Sequence, residues 1–304
     1  MDKSLLDSLA AIVGEENVRP LEPLAPHTTF KIGGPADAFV SPRSVEEVSQ
    51  VVCACEQASV PWHVIGCGSD LLVADEGVEG VVIEVRDNLS AIRVEGTRIV
   101  AGAGATSAAV AEAACVAGLS GYEFACGIPG TVGGAAIMNA GAYDGEFSQV
   151  CACSTCVTPE GRIVEVPREE AEWSYRHSMF DAARYVVVAA TLELTPADPV
   201  VIRARMDELT AKREAKQPID MPSAGSTFKR PEGHFAAALI DQAGLKGLAV
   251  GGAQVSTKHT GFVVNAGDAT SADVKALIAE VQRRVLESSG VALEPEVRMW
   301  GREA

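Results

Sequence analysis

Between residues 127 and 145 the chain places six glycines in nineteen positions, with Pro129, Thr131 and Asn139 among them. Ordering glycine costs more backbone entropy than ordering any other residue, so a run this dense needs a compensating gain. Close packing of bare backbone against a large flat ligand carrying phosphate supplies one. Successive amides bind an anion without basic side chains. That suits a chain of 304 residues with a formal net charge of −16. So acidic a surface repels phosphate backbones and anionic membranes, which argues against both as partners.

Two further glycine turns are candidates for the same task. Gly66, Cys67, Gly68 and Ser69 follow the apolar strand of residues 62–65 directly, so two glycines and a hydroxyl stand where amides form an anion nest. Gly102, Ala103 and Gly104 also follow a strand, but Ser107 occupies the third position of a dinucleotide fingerprint and no βαβ unit with a later acidic residue follows. This turn reads as a tight strand–helix connection.

Around these turns the pattern is mixed. Ser44 and Glu47 spell a capping box before Val48, Val51, Val52 and Cys55 at helical spacing, with Pro61 as the stop. Residues 81–85, 92–94 and 98–100 are short strands, and residues 106–118 an alanine-rich helix. Residues 151–157 and 162–166 form a hairpin about Pro159, Glu160 and Gly161, and residues 185–194 are a strand. A boundary falls near residues 195–199. Helices are expected over 200–216, 235–243 and 271–289, the last with Val274, Leu277, Ile278, Val281 and Val285 on one face and Gly290 after it. Strands and helices do not alternate regularly, which favours α+β with several mixed sheets.

The N-terminus lacks a basic start followed by an apolar run, and no stretch approaches the roughly 18 apolar residues of a membrane span. The eight cysteines are therefore expected to be reduced, in a cytoplasm. Cys151, Cys153 and Cys156 lack a convincing fourth ligand, and strand alternation sends their thiols to both faces, so no metal is expected.

Six motifs in order carry a resemblance. They are residues 29–34 (TFKIGG), the turn 66–69, the run 127–145, residues 175–180 (YRHSMF), residues 224–229 (AGSTFK) and residues 293–298 (LEPEVR). Together they resemble the UDP-N-acetylenolpyruvoylglucosamine reductase family, in its shorter type without an extra tyrosine-bearing loop. The resemblance implies an α+β fold: a two-lobed FAD-binding region of the vanillyl-alcohol-oxidase (PCMH-type) superfamily and a C-terminal α/β substrate-binding domain. It implies FAD lobes over 1–65 and 66–197, a substrate domain over 198–292, and a tail, 293–304, returning to the active site. The activity implied is reduction of UDP-N-acetylglucosamine enolpyruvate to UDP-N-acetylmuramate for peptidoglycan, with FAD reduced by NADPH.

By the same resemblance, Ser226 is the proton donor, Arg176 binds the substrate carboxylate and stabilises the enolate, and Glu296 is the second stabiliser. A guanidinium suits the task through its two parallel donors. The cofactor residues implied are Lys31, Gly66, Cys67, Gly68, Ser69, Asp70 and Leu71 from the first motifs. From the long run come Gly127, Ile128, Pro129, Gly130, Thr131, Gly133, Gly134, Ala135, Asn139 and Gly141. Lys229 and Arg230 are candidate substrate contacts, and His259 and Asn265 lie near the same strand.

The chain departs from the family in places. Asp70 stands where several members have Asn, and Ala237 and Ala238 where many have Gly and Lys, which removes a basic side chain there. Ser69 and Asp70 occupy the neighbourhood of the histidine that some relatives in the superfamily link to FAD, so a non-covalent cofactor is expected. No protein partner is inferred. Two alternatives stay open: an FAD-linked oxidase acting on an alcohol or hydroxy acid, and a non-catalytic sensor of cell-wall precursors. The first shares the glycine-rich half but not the Ser226, Arg176 and Glu296 set. The second has no use for a proton donor.

Overall fold

The computed structural model describes residues 1–302. By contact the chain forms two compact units, interleaved along the sequence. The first comprises Met1–Pro20, Asp37–Cys67 and Gly80–Arg213, the second Leu21–Ala36, Gly68–Glu79 and Glu214–Ala304.

In the first unit, helices Lys3–Val13 and Val45–Gln57 bury Leu5, Leu9 and Val13 and Val48, Val51, Val52 and Cys55 respectively. A four-stranded sheet runs in the order Val18–Pro20, Ala36–Val40, Val78–Glu84, Trp62–Ile65. Its Trp62–Ile65 edge is parallel to its neighbour, and its Val18–Pro20 edge is antiparallel. Ser44 caps the second helix through the Glu47 amide at 3.2 Å. The expected reciprocal bond is absent. The Glu47 carboxylate turns to Arg43 instead, accepting from its amide at 2.7 Å and its guanidinium at 2.9 Å, because an adjacent cation outcompetes a neutral amide. The helix ends at Gln57, ahead of Pro61.

A second, five-stranded antiparallel sheet has the order Ile163–Pro167, Cys151–Val157, Val186–Glu193, Arg98–Gly102, Ile92–Glu95. Two bulges interrupt the Cys151–Val157 strand. Burial pushes the Cys151 thiol up to about 11 and the Cys156 thiol up to about 12. Both therefore stay protonated and behave as small core residues. Helices Ser107–Val116 and Val132–Met138 join the same core, the latter rising out of the glycine-rich run.

In the second unit, strands Ala249–Val250, Ala253–Val255 and Val263–Asn265 form an antiparallel meander. Helices Ala236–Gln242 and Ser271–Ser289 contribute Leu239, Ile240, Val274, Leu277, Ile278, Val281 and Val285 to the core, with Phe30, Ile32, Leu72 and Phe228. The long helix matches its sequence signature. Thr270 and Asp273 form a full capping box, and Gly290 closes the C-terminus in the left-handed conformation. Arg298–Trp300 runs parallel to Leu71–Val73, a pairing no local pattern announces.

Candidate active site

Within the first unit the two leading glycine segments meet. A Cβ on Gly66 would overlap the Thr131 hydroxyl oxygen, so only glycine lets the 66–67 turn lie this close to the long run. Thr131 caps the helix Val132–Met138 through the Gly134 amide. The amides of Val132 and Gly133 donate to the carbonyls of Ala105 and Ala103, at 2.8 and 2.9 Å. Thus the Gly102–Gly104 turn is a buttress under this helix, as its strand–helix reading implies.

The helix has therefore spent its first amides internally. Among the described residues, the amides of Gly130 and Thr131 make no such bond. Gly127, Ile128, Pro129, Gly130 and Gly134 retain accessible surface, while Thr131, Gly133 and Ala135 are buried. The open face of the run is thus 127–130 with Gly134. Bare backbone, free amides and a neighbouring glycine turn fit a flat cofactor with a pyrophosphate. Gly141 begins a two-residue hairpin strand paired with Gly145–Glu146. Cys67, in the turn, is a poor nucleophile, because burial raises its thiol.

Asn139 departs from expectation. It is 1% exposed. Its amide donates to the Ser174 carbonyl at 3.1 Å and accepts from the Ser148 amide at 2.9 Å. A side chain so enclosed has no surface to offer a cofactor. The Ser174 and His177 backbones exchange hydrogen bonds at 3.2 Å each, making a two-residue turn of Tyr175 and Arg176. Arg176 takes φ 55, a left-handed conformation that costs an arginine energy, and its guanidinium lies over the Tyr175 ring at 4.8 Å.

Sequence reasoning missed Arg213. A Cβ on Gly127 would stand 2.9 Å from its Cδ, so its side chain lies against the start of the glycine-rich run. Burial lowers its pKa from the ordinary arginine value. Its position in an expected surface helix concealed this. The signal that could have flagged it is a basic residue near the end of that helix in so acidic a chain.

Within the second unit three backbone segments converge. The Glu296 amide donates to the Thr227 carbonyl at 2.8 Å, and the Lys229 amide to the Glu294 carbonyl at 2.9 Å. The Arg298 amide donates to the Asp70 carbonyl at 3.0 Å, ahead of the parallel pairing with Leu71. Half-buried Glu296 thus lies in the segment leading into the strand Arg298–Trp300, flanked by the Ser226 loop and the Ser69–Leu71 segment. Ser226 is exposed, between Gly225 at φ 75 and Thr227, which is 2% exposed. Thr227 anchors the loop: its amide donates to the Gly261 carbonyl and its hydroxyl accepts from the Val263 amide, both at 2.8 Å.

Lys31 is exposed at φ 55, between buried Phe30 and Ile32. Its turn is tied to the serine loop, since the Thr29 hydroxyl donates to the Ser223 carbonyl at 2.6 Å. Gly68 accepts from the Thr29 amide at 3.2 Å. Lys229 pairs with Glu294, and the Arg230 guanidinium stacks on Phe235 at 4.0 Å. Asn265 serves the fold, donating to the Phe30 carbonyl and accepting from the Gly267 and Ala269 amides. His259 Nδ1 accepts from the Gly261 amide at 3.2 Å, and burial lowers its pKa.

Comparison with known proteins bears on both parts of the chain. Residues 36–167 match the FAD binding domain family, and residues 217–300 match the UDP-N-acetylenolpyruvoylglucosamine reductase C-terminal domain family. With its glycine cradle and its FAD-binding domain, the α+β chain is a flavin-dependent oxidoreductase. UDP-N-acetylenolpyruvoylglucosamine reductase of Lachnoclostridium phytofermentans is 48% identical over 305 residues, covering 99% of this chain and 98% of that one. The enzyme of that name from Clostridium botulinum is 46% identical over 301 residues, with the same coverage. The crystal structure of UDP-N-acetylenolpyruvylglucosamine reductase from Thermus caldophilus superposes with a TM-score of 0.81 at 35% identity, covering 93% of this chain and 99% of that one. The chain belongs to the UDP-N-acetylenolpyruvoylglucosamine reductase family.

Proposed function

We propose that this oxidoreductase reduces the enolpyruvyl ether of UDP-N-acetylglucosamine enolpyruvate to UDP-N-acetylmuramate, taking its reducing equivalents from NADPH. FAD, when bound, supplies the hydride. Within the first unit we assign the backbone of 66–67, 127–130, 134 and 141 to the non-covalent cofactor, with Arg213 as a cation for its phosphates; Lys31 and 68–71, in the second unit, are further candidates. In linear terms, 1–65 and 66–197 are the cofactor lobes, 198–292 the substrate domain and 293–304 the returning tail. No described helix is long and apolar enough to cross a membrane. We assign the reaction to the cytoplasm.

The chain's own residues divide the chemistry. Hydride arriving at the terminal vinyl carbon leaves negative charge on the adjacent carbon and its carboxylate. Arg176 holds that carboxylate with two parallel donors and stabilises the developing enolate. Glu296 takes the role of second enolate stabiliser, and the Ser226 hydroxyl that of delivering the proton to the adjacent carbon. Lys229 and Arg230 flank the serine loop, where a diphosphate or carboxylate is their natural counterpart.

The observation that most supports this reading is the hydrogen bond between the Glu296 amide and the Thr227 carbonyl, which holds the Glu296 segment beside the Ser226 loop. The test is anaerobic. FAD-loaded protein is reduced with NADPH and mixed with UDP-N-acetylglucosamine enolpyruvate. Rapid flavin reoxidation supports the assignment. Reduced flavin that ignores this compound but reacts quickly with oxygen would overturn it in favour of an oxidase.

A further inference from the structure

We infer that Asn139 is a positioning residue for the Arg176 guanidinium, fixing the Tyr175–Arg176 turn against the C-terminal end of the helix Val132–Met138. The inference rests on the reading of Arg176 as the carboxylate anchor.

The Ser174–His177 backbone bonds close the Tyr175–Arg176 turn. Side-chain bonds tie each of its flanks to the helix Val132–Met138 and its cap. Asn139 Nδ2 reaches the Ser174 carbonyl on one flank at 3.1 Å, and the Ser178 hydroxyl donates to the Ile137 carbonyl on the other at 2.8 Å. Both residues are buried, at 1% and 0% exposure. Both bonds end on the last turn of the helix Val132–Met138 and its cap.

The residue type at 139 is demanding. One amide must donate to Ser174 and accept from the Ser148 amide, while its own backbone sits at φ 41, ψ 54. Asparagine tolerates the left-handed region and offers both a donor and an acceptor. Ionised aspartate keeps the acceptor and loses the donor. Glycine keeps the backbone conformation and loses both. Arg176 is itself left-handed at φ 55, and such a conformation persists only where its surroundings over-determine it. Slackening one flank lets the turn relax and moves the guanidinium. Displacement on the ångström scale costs an anchoring group about ten- to a hundredfold.

The test uses FAD-loaded Asn139→Gly and Asn139→Asp, each alone and combined with Arg176→Ala. Binding of the enolpyruvyl UDP-sugar to oxidised enzyme is read from the flavin spectrum, and the two half-reactions by anaerobic stopped flow. We expect Asn139→Gly to weaken sugar binding and slow reoxidation about tenfold or more, with reduction by NADPH within about twofold. In the Arg176→Ala background Asn139→Gly should change neither further. Ser178→Ala, acting on the opposite flank, should show the same dependence on Arg176 and serves should both Asn139 variants fail to fold. Additive losses, or equal losses in both half-reactions, would reduce Asn139 to a stabilising residue and overturn the inference alone. Unchanged sugar binding and reoxidation in Arg176→Ala itself would overturn the anchor reading and this inference together.

Discussion

Gly66 and Thr131 are in such close contact that a Cβ on the glycine would overlap the threonine hydroxyl and stand 3.1 Å from its methyl carbon. Two glycine segments that begin sixty-one residues apart thereby become one surface, and the threonine between them also caps the helix carrying the rest of the run.

Gly66→Ala should therefore damage cofactor retention before it damages the fold. Relief of the overlap must move either the turn or Thr131, at a cost of about 1–3 kcal/mol. The expected outcome is a lower FAD content after gel filtration and a melting temperature that recovers when excess FAD is added. A variant that holds FAD as tightly as wild type would separate this contact from the cofactor.

Ser226→Ala should leave folding and flavin reduction intact, since the side chain is exposed and forms no core contact. Loss of a proton donor should slow reoxidation by the enolpyruvyl substrate about 100- to 10,000-fold. Substrate binding to oxidised enzyme, measured by flavin difference spectra, should change little. Reoxidation at the wild-type rate would move the proton donor elsewhere.

Arg213→Gln removes the cation that lies against Gly127. If Arg213 serves a phosphate, the variant should bind FAD about tenfold or more weakly, the scale of one charge-assisted hydrogen bond. Titration of apoprotein with FAD at low and high salt checks this, the wild type showing the steeper salt dependence. Equal affinities and equal slopes would leave Arg213 a packing residue.

His259 makes stability pH-dependent in a defined direction. Burial depresses its pKa below 6.5 in the folded protein, and Nδ1 must be unprotonated to accept from the Gly261 amide. Below pH 6.5 the unfolded chain takes up a proton that the folded chain refuses. This contribution is present in full above that pH and is lost as pH falls toward the folded value. His259→Gln should flatten the stability profile in that window, measured by urea denaturation from pH 7.5 down. An unchanged slope would show that other groups set it.

Much of the fold could be read along the chain because its signals are local. Capping residues, helical spacing and Gly290 define the helix Ser271–Ser289 within itself. Glycine density marks residues 127–145 for the same reason, since the entropy of those residues has to be offset wherever they lie. The hairpin of Cys151–Val157 and Ile163–Pro167 follows from its turn. Where competition between partners decided, the sequence misled: Glu47 chose Arg43 over the Ser44 amide, and the Asn139 amide turned inward to Ser174 and Ser148.

By itself, then, the sequence determined the elements with their own periodicity and caps, and it singled out the glycine-rich backbone and Arg176, Ser226 and Glu296 as candidates. Only the tertiary structure decided which distant segments share a surface. Arg298–Trp300 lies parallel to Leu71–Val73, and both stretches are three residues long. So short a strand has no period to detect, and its hydrogen bonds exist only with a partner found more than two hundred residues away. The same holds for Arg213 on Gly127 and for the Glu296 segment on the Ser226 loop. A side chain's environment belongs to the neighbours that folding brings to it, and linear spacing carries no record of them.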